Sequence, residues 1–206
     1  MNVSEATKHR KSVRQFLDKP VAEETVRKLL ELAARSPSGG NTQAMEAVMK
    51  GGFDAPEFNI YPSAAESKEF LDRRRQLGFK MYELMGIARD DKAGRAEAML
   101  KNYDFFGAPV GLIVTVDRVC DRNGWGHVGM FLQTLCLLAC DFGLETCLQE
   151  AWSSIHQTIY KQLNIPDSEM LWCGVALGYA DWSAKVNDLE SEREPVEKFA
   201  TFINKL

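Results

Sequence analysis

The sequence lacks the motifs that mark the commonest nucleotide and metal sites. It contains no Gly-x-Gly-x-x-Gly and no phosphate-binding P-loop, which argues against a Rossmann or P-loop nucleotide site. Its 5 cysteines include no Cys-x-x-Cys pair, and its 3 histidines share no spacing. Because zinc sites usually combine such residues at short, regular intervals, we expect no metal in this protein.

A long apolar run and a surplus of positive charge are also missing. The N-terminus has no apolar stretch of the kind that a secretory signal needs, and Met130 to Phe142 is too short to cross a bilayer. With 25 Lys and Arg against 29 Asp and Glu, the net charge is −4, so nucleic acid is not an expected partner. An odd number of cysteines is typical of reduced thiols in the cytosol. We therefore expect a cytoplasmic protein that binds neither a membrane nor nucleic acid.

Hydrophobic patterning predicts one domain built from alternating helices and strands. The chain of 206 residues is 45% hydrophobic, which is enough for a single core over residues 1–206. Apolar residues at helical spacing predict helices over residues 22–34, 67–85, 92–103, 126–142 and 153–163. Apolar, β-branched runs predict strands over 109–116 and 170–179, with a short strand near Thr146. Gly143 is placed to end the long helix before it. This alternation predicts an α/β or an α+β layered fold.

A short basic motif near the N-terminus can bind a phosphate. In an extended segment, side chains alternate between two faces, so Arg10, Ser12 and Arg14 share one face. Two guanidinium groups and a hydroxyl suit a phosphate monoester, because that group accepts several charge-assisted hydrogen bonds. Taken alone, however, the motif is better explained as a solvated basic N-terminus.

A second motif, Ser36-Pro37-Ser38-Gly39-Gly40-Asn41-Thr42-Gln43, ends the first predicted long helix. Its glycines allow the backbone to approach a flat ligand, and Ser38, Asn41 and Gln43 supply polar side chains. Taken alone, a loop that ends a helix is again the better explanation, because isolated Gly-Gly pairs are weak signals.

Together, and separated by an amphipathic helix, the two motifs resemble the N-terminal signature of the nitroreductase family. The resemblance continues through residues 105–110, 129–133, 143–147 and 173–181, and it closes with Glu192-Arg193-Glu194-Pro195. Most of the chain is covered in the right order, so chance is a poor explanation. Within the family, the sequence most resembles the branch that acts on nitroaromatics such as nitrobenzoates.

The resemblance implies an α+β fold in which helices flank a central, mixed but mainly antiparallel sheet. It also implies a homodimer that binds FMN at its interface, with the long buried helix lying there. NADH or NADPH would donate hydride, and a small nitroaromatic or quinone-type acceptor would then be reduced in a ping-pong reaction. Because the flavin carries the redox chemistry, no side chain is assigned as a catalytic residue.

The resemblance assigns the cofactor site residue by residue. The assigned residues are Arg10, Lys11, Ser12, Arg14, Pro37, Ser38, Gly39, Asn41, Gln149, Glu150, Ala151 and Arg193. Arg10, Ser12 and Arg193 would hold the phosphate, with Lys11 in the same motif. Arg14 would reach the ribityl chain or the pyrimidine edge, where a cation suits the negative charge that reduction brings.

The remaining assigned residues would surround the flavin ring. Pro37, Ser38, Gly39 and Asn41 would come from the partner subunit and cover the other side of the flavin. Residues 149–151 would lie beside the ring, where a backbone N–H can donate to N5. For Glu150 and Ala151, the resemblance implies contacts through the main chain more than through side chains.

The sequence departs from the family pattern in two places. After Gln43 the family continues with an alternating apolar strand, whereas here Gln43 runs directly into Ala44 and a segment resembling the end of a later helix. We therefore hypothesise that a segment is missing between Gln43 and Ala44. The second departure is Leu148, which stands where this branch commonly has proline and which affects the backbone expected to meet N5.

Two other classes of function remain open. One is a protein of the same fold that binds flavin or sequesters a ligand with little turnover. The Gln43–Ala44 discontinuity and Leu148 leave this alternative open. The other is a structural dimer without flavin, which would leave four groups suited to phosphate, those of Arg10, Ser12, Arg14 and Arg193, without a purpose. Arg73-Arg74-Arg75 is expected to be a solvated helix face, with contact to a substrate carboxylate as the less favoured role. The cysteines are expected to be mostly buried, with Cys136, Cys140 and Cys147 packed in the core.

Overall fold

The computed structural model describes residues 1–37, 46–47, 61 and 65–203, and for 46–47 and 121–123 it describes the backbone alone. The predictions for Ser38, Gly39 and Asn41 lie outside these residues. So does the hypothesis of a segment missing between Gln43 and Ala44, which therefore stays a hypothesis.

Six α-helices and four strands make up the regular structure of the described residues. The helices are α1 (Val3–His9), α2 (Glu23–Ala33), α3 (Lys68–Leu84), α4 (Lys92–Leu100), α5 (Asp121–Asp141) and α6 (His156–Leu163). The strands are β1 (Glu46–Ala47), β2 (Val110–Asp117), β3 (Glu145–Gln149) and β4 (Glu169–Gly178). A 3₁₀ segment precedes β2 at Lys101–Gly107, and another follows β3 at Glu150–Ile155.

The four strands form one sheet in the order β1-β2-β4-β3, and every neighbouring pair is antiparallel. The N-terminal segment runs along its edge, with a parallel bridge from Ser12 to Thr146 and an antiparallel bridge from Phe16 to Ala180. The sheet is therefore mixed but mainly antiparallel. This confirms the α+β class and excludes the doubly wound parallel sheet of an α/β fold.

Each face of the sheet carries its own hydrophobic core. Residues that alternate along the central strand β4 point to opposite faces, so Ala176 packs in one core and Val175 in the other. The first core joins the sheet to the N-terminal segment, the 3₁₀ segments and α6. The second joins it to α2 and α5. Cys136, Cys140, Cys147 and Cys173 are buried free thiols, which confirms their predicted place in the interior.

Most predicted elements are confirmed, because their signals are local. The helix α3 begins after Ser67, whose hydroxyl accepts a hydrogen bond from the Phe70 N–H at 3.3 Å. Gly143 ends α5 with a left-handed φ of +70°, and its N–H donates to the Cys140 carbonyl at 3.1 Å. In the described parts of the chain, no helix combines the length and the apolar character that a bilayer crossing requires.

The long helix α5 differs from its prediction in two ways. It begins at Asp121 rather than Gly126. Gly124, within its first turns, lies close to its neighbours, since an added Cβ would lie 2.4 Å from Cys120 Cβ and 3.2 Å from a Val116 methyl group. The helix is not buried on all sides of the single chain either, since Trp125 is 36% and Met130 is 40% exposed. Trp125 nevertheless contacts the sheet, since its ring packs edge-to-face on Trp172 of β4 with the ring centres 4.9 Å apart.

Two predicted helices contain 3₁₀ turns at one end. The helix predicted over 92–103 ends at Leu100 and is followed by the 3₁₀ segment Lys101–Gly107, in which Phe105 and Phe106 adopt left-handed φ values of 46° and 56°. Both rings pack in the first core, which compensates for this unusual backbone. The helix predicted over 153–163 becomes α-helical only from His156.

Candidate active site

A cavity of about 430 Å³ lies where the N-terminal segment meets the last part of the described chain. Its lining consists of Thr7, Lys8, Arg10, Lys11, Ser12, Arg14, Leu77, Leu189, Glu190, Ser191 and Arg193. Five of these side chains are cations and one is an anion. Because positive charges concentrated in a concave site attract anions, this lining favours a negatively charged ligand.

The sheet edge holds the N-terminal part of this lining in place. The Val13 N–H donates to the Thr146 carbonyl at 3.0 Å, and the Leu17 N–H donates to the Tyr179 carbonyl at 2.8 Å. With Val13 buried beneath them, Ser12 and Arg14 both reach the cavity, as period two predicts. Lys11 also lines the cavity, since the segment only begins to extend there after α1.

Asn187 joins the two ends of the chain, and it is a residue that the sequence analysis missed. Its side-chain oxygen accepts the Arg14 N–H at 2.8 Å, and its amide donates to the carbonyls of Gln15 and Asp181 at 2.9 and 2.8 Å. Its own carbonyl accepts a hydrogen bond from Lys11 Nζ at 3.2 Å. No local pattern marks this asparagine, because most of its partners lie at the opposite end of the sequence.

Arg193 and α3 form the other side of the cavity. Arg193 lines the cavity and is exposed, and its Nη1 donates a hydrogen bond to Ser191 Oγ at 2.6 Å. The segment is fastened to α3 by a 2.5 Å salt bridge between Arg73 and Glu194. The predicted phosphate residues from both ends of the sequence therefore lie together.

A compact polar cluster links α1 to the start of β3. His9 Nε2 lies 2.5 Å from Glu145 Oε1, and the Cys140 thiol donates to the Cys136 carbonyl at 3.3 Å. The atoms of His9, Cys140 and Glu145 that could each ligate a metal ion all lie within 4.8 Å of one another. Burial, with help from the Glu145 carboxylate, raises the pKa of Cys140 to about 11 and so keeps it a thiol. The contact between His9 and Glu145 joins α1 to β3, and the hydrogen bond of Cys140 lies within α5. The expectation that the protein binds no metal stays a prediction.

Glu145 makes the stability of the fold depend on pH. Burial is the largest cause acting on this carboxyl and raises its pKa above the ordinary 4.5, against the opposing effects of His9, Lys11 and Arg10. The folded state therefore binds this proton more tightly than the unfolded state does. The contribution of this proton to the free energy of unfolding is complete below pH 4.5 and is lost as the pH rises through the pKa of Glu145 in the folded state.

We expect Glu145→Gln to remove this dependence, since glutamine mimics the protonated side chain. Relative to the variant, the wild-type free energy of unfolding should fall as the pH rises above about 4.5. Urea denaturation at a series of pH values measures it. Glu97→Gln, at an exposed position of α4, is the matched control and should follow the wild type. Parallel curves for the wild type and Glu145→Gln would contradict this expectation.

The predicted 149–151 segment lies apart from the cavity lining and is held rigidly. The buried Gln149 amide donates to the Asn102 carbonyl at 2.7 Å, and the Ala151 carbonyl accepts a hydrogen bond from Ser154 Oγ at 2.6 Å. Because the first amides of a helical turn have no partner within it, the N–H groups of Glu150 and Ala151 can donate to a ligand. Leu148 precedes them in β3, with its side chain 40% exposed.

Tyr61 connects this segment to α3. Its hydroxyl hydrogen-bonds to the Glu150 carboxylate, and the guanidinium carbon of Arg74 lies 4.1 Å from the centre of its ring. Burial, followed by the charge of Glu150, raises the pKa of Tyr61, so the phenol stays neutral. Arg73, Arg74 and Arg75 are all exposed, as expected of a solvated helix face, and Arg73 and Arg74 also contact Glu194 and Tyr61.

Of the residues assigned to the site of the partner subunit, the structure describes only Pro37. Pro37 is exposed after the end of α2 and does not line the cavity of its own chain. The preceding Ser36 donates to Thr134 Oγ1 of α5 at 2.8 Å, so this loop starts beside the exposed face of α5. The assignment of Pro37 to the other subunit's site stays a prediction.

The comparisons with known proteins agree with the motifs. The nitroreductase family model matches residues 7–179. The chain is 34% identical to the 4-nitrobenzoate reductase of Pseudomonas putida, over 94% of this chain and 92% of that protein. It is also 34% identical to the chloronitrobenzene nitroreductase of Comamonas testosteroni, over 98% of this chain and 97% of that one. That alignment has 224 positions, more than the residues of this chain, so it includes positions at which this chain has none.

Solved structures give the same result. The fold matches the crystal structure of the FMN and NADPH-dependent nitroreductase NfnB from Sphigopyxis sp. strain HMH with a TM-score of 0.93. The sequences are 34% identical, and the match covers 100% of both chains. A second match is the FMN-dependent nitroreductase NfnB from Mycobacterium smegmatis in complex with NADPH, with a TM-score of 0.88 and 25% identity. It covers 98% of this chain and 100% of that one. This chain therefore belongs to the nitroreductase family.

Proposed function

We propose that this protein is an FMN-dependent NAD(P)H oxidoreductase that reduces nitroaromatic acceptors, and quinone-type acceptors as well. The observation that carries the proposal is the cavity that unites Arg10, Ser12 and Arg14 with Arg193. Two motifs at opposite ends of the sequence meet there, and both supply groups that bind phosphate. The names of the relatives support the cofactor, the electron donor and the class of acceptor.

The residues of the cavity fit the phosphate end of FMN. The side chain of Arg10 forms no salt bridge or hydrogen bond with another described residue, so its guanidinium donors are available to a ligand. Ser12 adds a hydroxyl, and Lys11 and Arg193 add positive charge at the same place. Since a phosphate monoester carries nearly two negative charges, several cations lining one cavity match it.

When bound, FMN would supply the hydride chemistry of a ping-pong cycle between NAD(P)H and the acceptor, and residues of this chain would hold and orient it. Arg14 would provide a positive charge that favours negative charge on the pyrimidine edge. The backbone N–H groups of Glu150 and Ala151 would donate to N5, and the hydrogen bond from the Gln149 amide to the Asn102 carbonyl would keep this segment in position. No side chain of this chain forms a covalent bond in the cycle.

We further propose that the protein is a cytoplasmic homodimer, in which Pro37, Ser38, Gly39 and Asn41 complete the site of the partner. Apolar side chains on α5 and at the end of the described chain remain exposed in the single chain. They are Trp125, Met130, Phe199, Phe202 and Ile203, and the last three are more than 70% exposed. Such a surface is typical of an interface between subunits. Light scattering at micromolar concentration should give twice the mass of the chain, and a monomer would contradict the proposal.

The domain organisation is part of the same proposal. We infer a single domain over residues 1–206 from which the segment between Gln43 and Ala44 is missing. The alignment with the Comamonas testosteroni relative supports this, since it contains more positions than this chain has residues.

The visible spectrum of the purified protein tests the function. We expect an oxidised flavin spectrum that bleaches when NADPH or NADH is added anaerobically, because both nucleotides donate hydride to flavins. A flavin spectrum that neither nucleotide bleaches would favour the alternative of a flavin-sequestering protein. A protein that binds no FMN, even when it is added, would contradict the cofactor and the proposal with it.

A further inference from the structure

The contacts of Arg74 leave its charge available to a ligand. Its guanidinium carbon lies 4.1 Å from the centre of the Tyr61 ring. Because a cation–π contact is made by the charge, the guanidinium N–H groups can still donate hydrogen bonds to a ligand. Its neighbour Arg73 is neutralised by the salt bridge to Glu194. By contrast, Arg74 forms no salt bridge with any residue that the structure describes.

The Tyr61 ring places this cation next to the proposed flavin site. The Tyr61 hydroxyl contacts the carboxylate of Glu150, which begins the turn whose amides are proposed to face the flavin. Arg14, from the phosphate motif, lies near enough to Tyr61 for its charge to act on the phenol. Tyr61 is 49% exposed, so a small molecule can reach the ring and the guanidinium above it.

We propose that Arg74, held on the Tyr61 ring, binds the carboxylate of anionic nitroaromatic acceptors and so makes the enzyme selective for nitrobenzoate-type substrates. The inference rests on the proposed function and adds a residue that determines specificity.

Charge and shape around Arg74 both favour an aromatic anion. Among the residues that the structure describes, the charged groups that act on the Tyr61 phenol are two cations, Arg74 and Arg14, and one anion, Glu150. The Glu150 carboxylate already accepts a hydrogen bond from Tyr61, which reduces its repulsion of a second carboxylate. A guanidinium fork can donate two parallel hydrogen bonds to a carboxylate, and the tyrosine ring gives an aromatic acceptor a surface to stack on.

The test compares two acceptors of nearly equal shape, 4-nitrobenzoate and its neutral analogue 4-nitrobenzamide, in the FMN-bound protein. We expect Arg74→Gln to raise KM for 4-nitrobenzoate about tenfold, since a charge-assisted interaction is lost at a partly exposed site. For 4-nitrobenzamide, KM should change less than about twofold, and kcat should be little altered for either compound. Arg75→Gln is the matched control on the same helix and should behave as the wild type.

Binding without turnover gives a second readout. In calorimetry without nicotinamide nucleotide, Arg74→Gln should weaken benzoate binding about tenfold and leave benzamide binding unchanged. Equal effects of Arg74→Gln on the charged and neutral compounds, or equal effects of Arg74→Gln and Arg75→Gln, would overturn the inference. If the wild type reduces neither compound, the proposed function fails, whereas the benzoate titration still decides the role of Arg74.

Discussion

Replacement of Arg10 by glutamine is expected to weaken FMN binding about a hundredfold and to leave riboflavin binding within about twofold. A hydrogen bond to a charged group contributes about 1.5–3 kcal/mol, and 1.4 kcal/mol corresponds to a factor of ten in affinity. Arg10 lines the cavity without a salt bridge to another described residue, so its loss removes ligand contacts rather than internal ones. Riboflavin has the same ring and ribityl chain but no phosphate, so its binding is insensitive to a phosphate contact.

Titration of the flavin-free protein with each compound, followed by flavin fluorescence, measures both affinities. Arg27→Gln is the matched control, because Arg27 is an exposed arginine of α2 outside the cavity lining. It should bind both flavins as the wild type does. An equal loss for FMN and riboflavin would show that Arg10 supports the fold of the site, and no loss for either would place the phosphate elsewhere.

Replacement of Gly174 by alanine is expected to lower the free energy of unfolding by about 3 kcal/mol, as overpacking of a close-packed interior does. An added Cβ would lie 2.2 Å from Cδ1 of Trp152, which is shorter than any allowed contact. The strand cannot retreat, because Gly174 lies in β4 between Ile113 and Gln149 of the neighbouring strands. The indole cannot move freely either, since it is fully buried and stacks on Phe105 with the ring centres 4.5 Å apart.

Urea denaturation followed by tryptophan fluorescence measures this loss. Gly78→Ala is the matched control, since Gly78 lies within α3 and an added Cβ there meets no atom within 4 Å. That variant should be more stable than the wild type by about 0.5–1 kcal/mol, because glycine is a poor helix former. Wild-type stability of Gly174→Ala would mean that Trp152 can repack.

Because Trp152 Nε1 donates to the Gln149 side chain at 3.4 Å, we also expect weaker flavin binding in Gly174→Ala.

The elements that the sequence determined by itself are those with local signals. The helix α2 shows the apolar spacing of one buried face, and α3 begins at a serine that caps it. The strands β2 and β4 are apolar on both faces because helices and turns cover both faces of the sheet. Arg10, Ser12, Arg14 and Arg193 were identified through the order of family motifs, and the cavity brings all four together.

Tertiary structure alone decided the features whose partners are distant in sequence. The hydrogen bonds of Asn187 to the N-terminal segment, the pairing of His9 with Glu145 and the contacts of Tyr61 with Arg74 and Glu150 belong to this class. The left-handed turn before β2 belongs there too, because core packing of its two phenylalanines outweighs their backbone preference. The physical reason is the same throughout: periodicity and capping act over a few residues, whereas these contacts form only once the sheet and the elements packed on it have brought separate segments of the chain together.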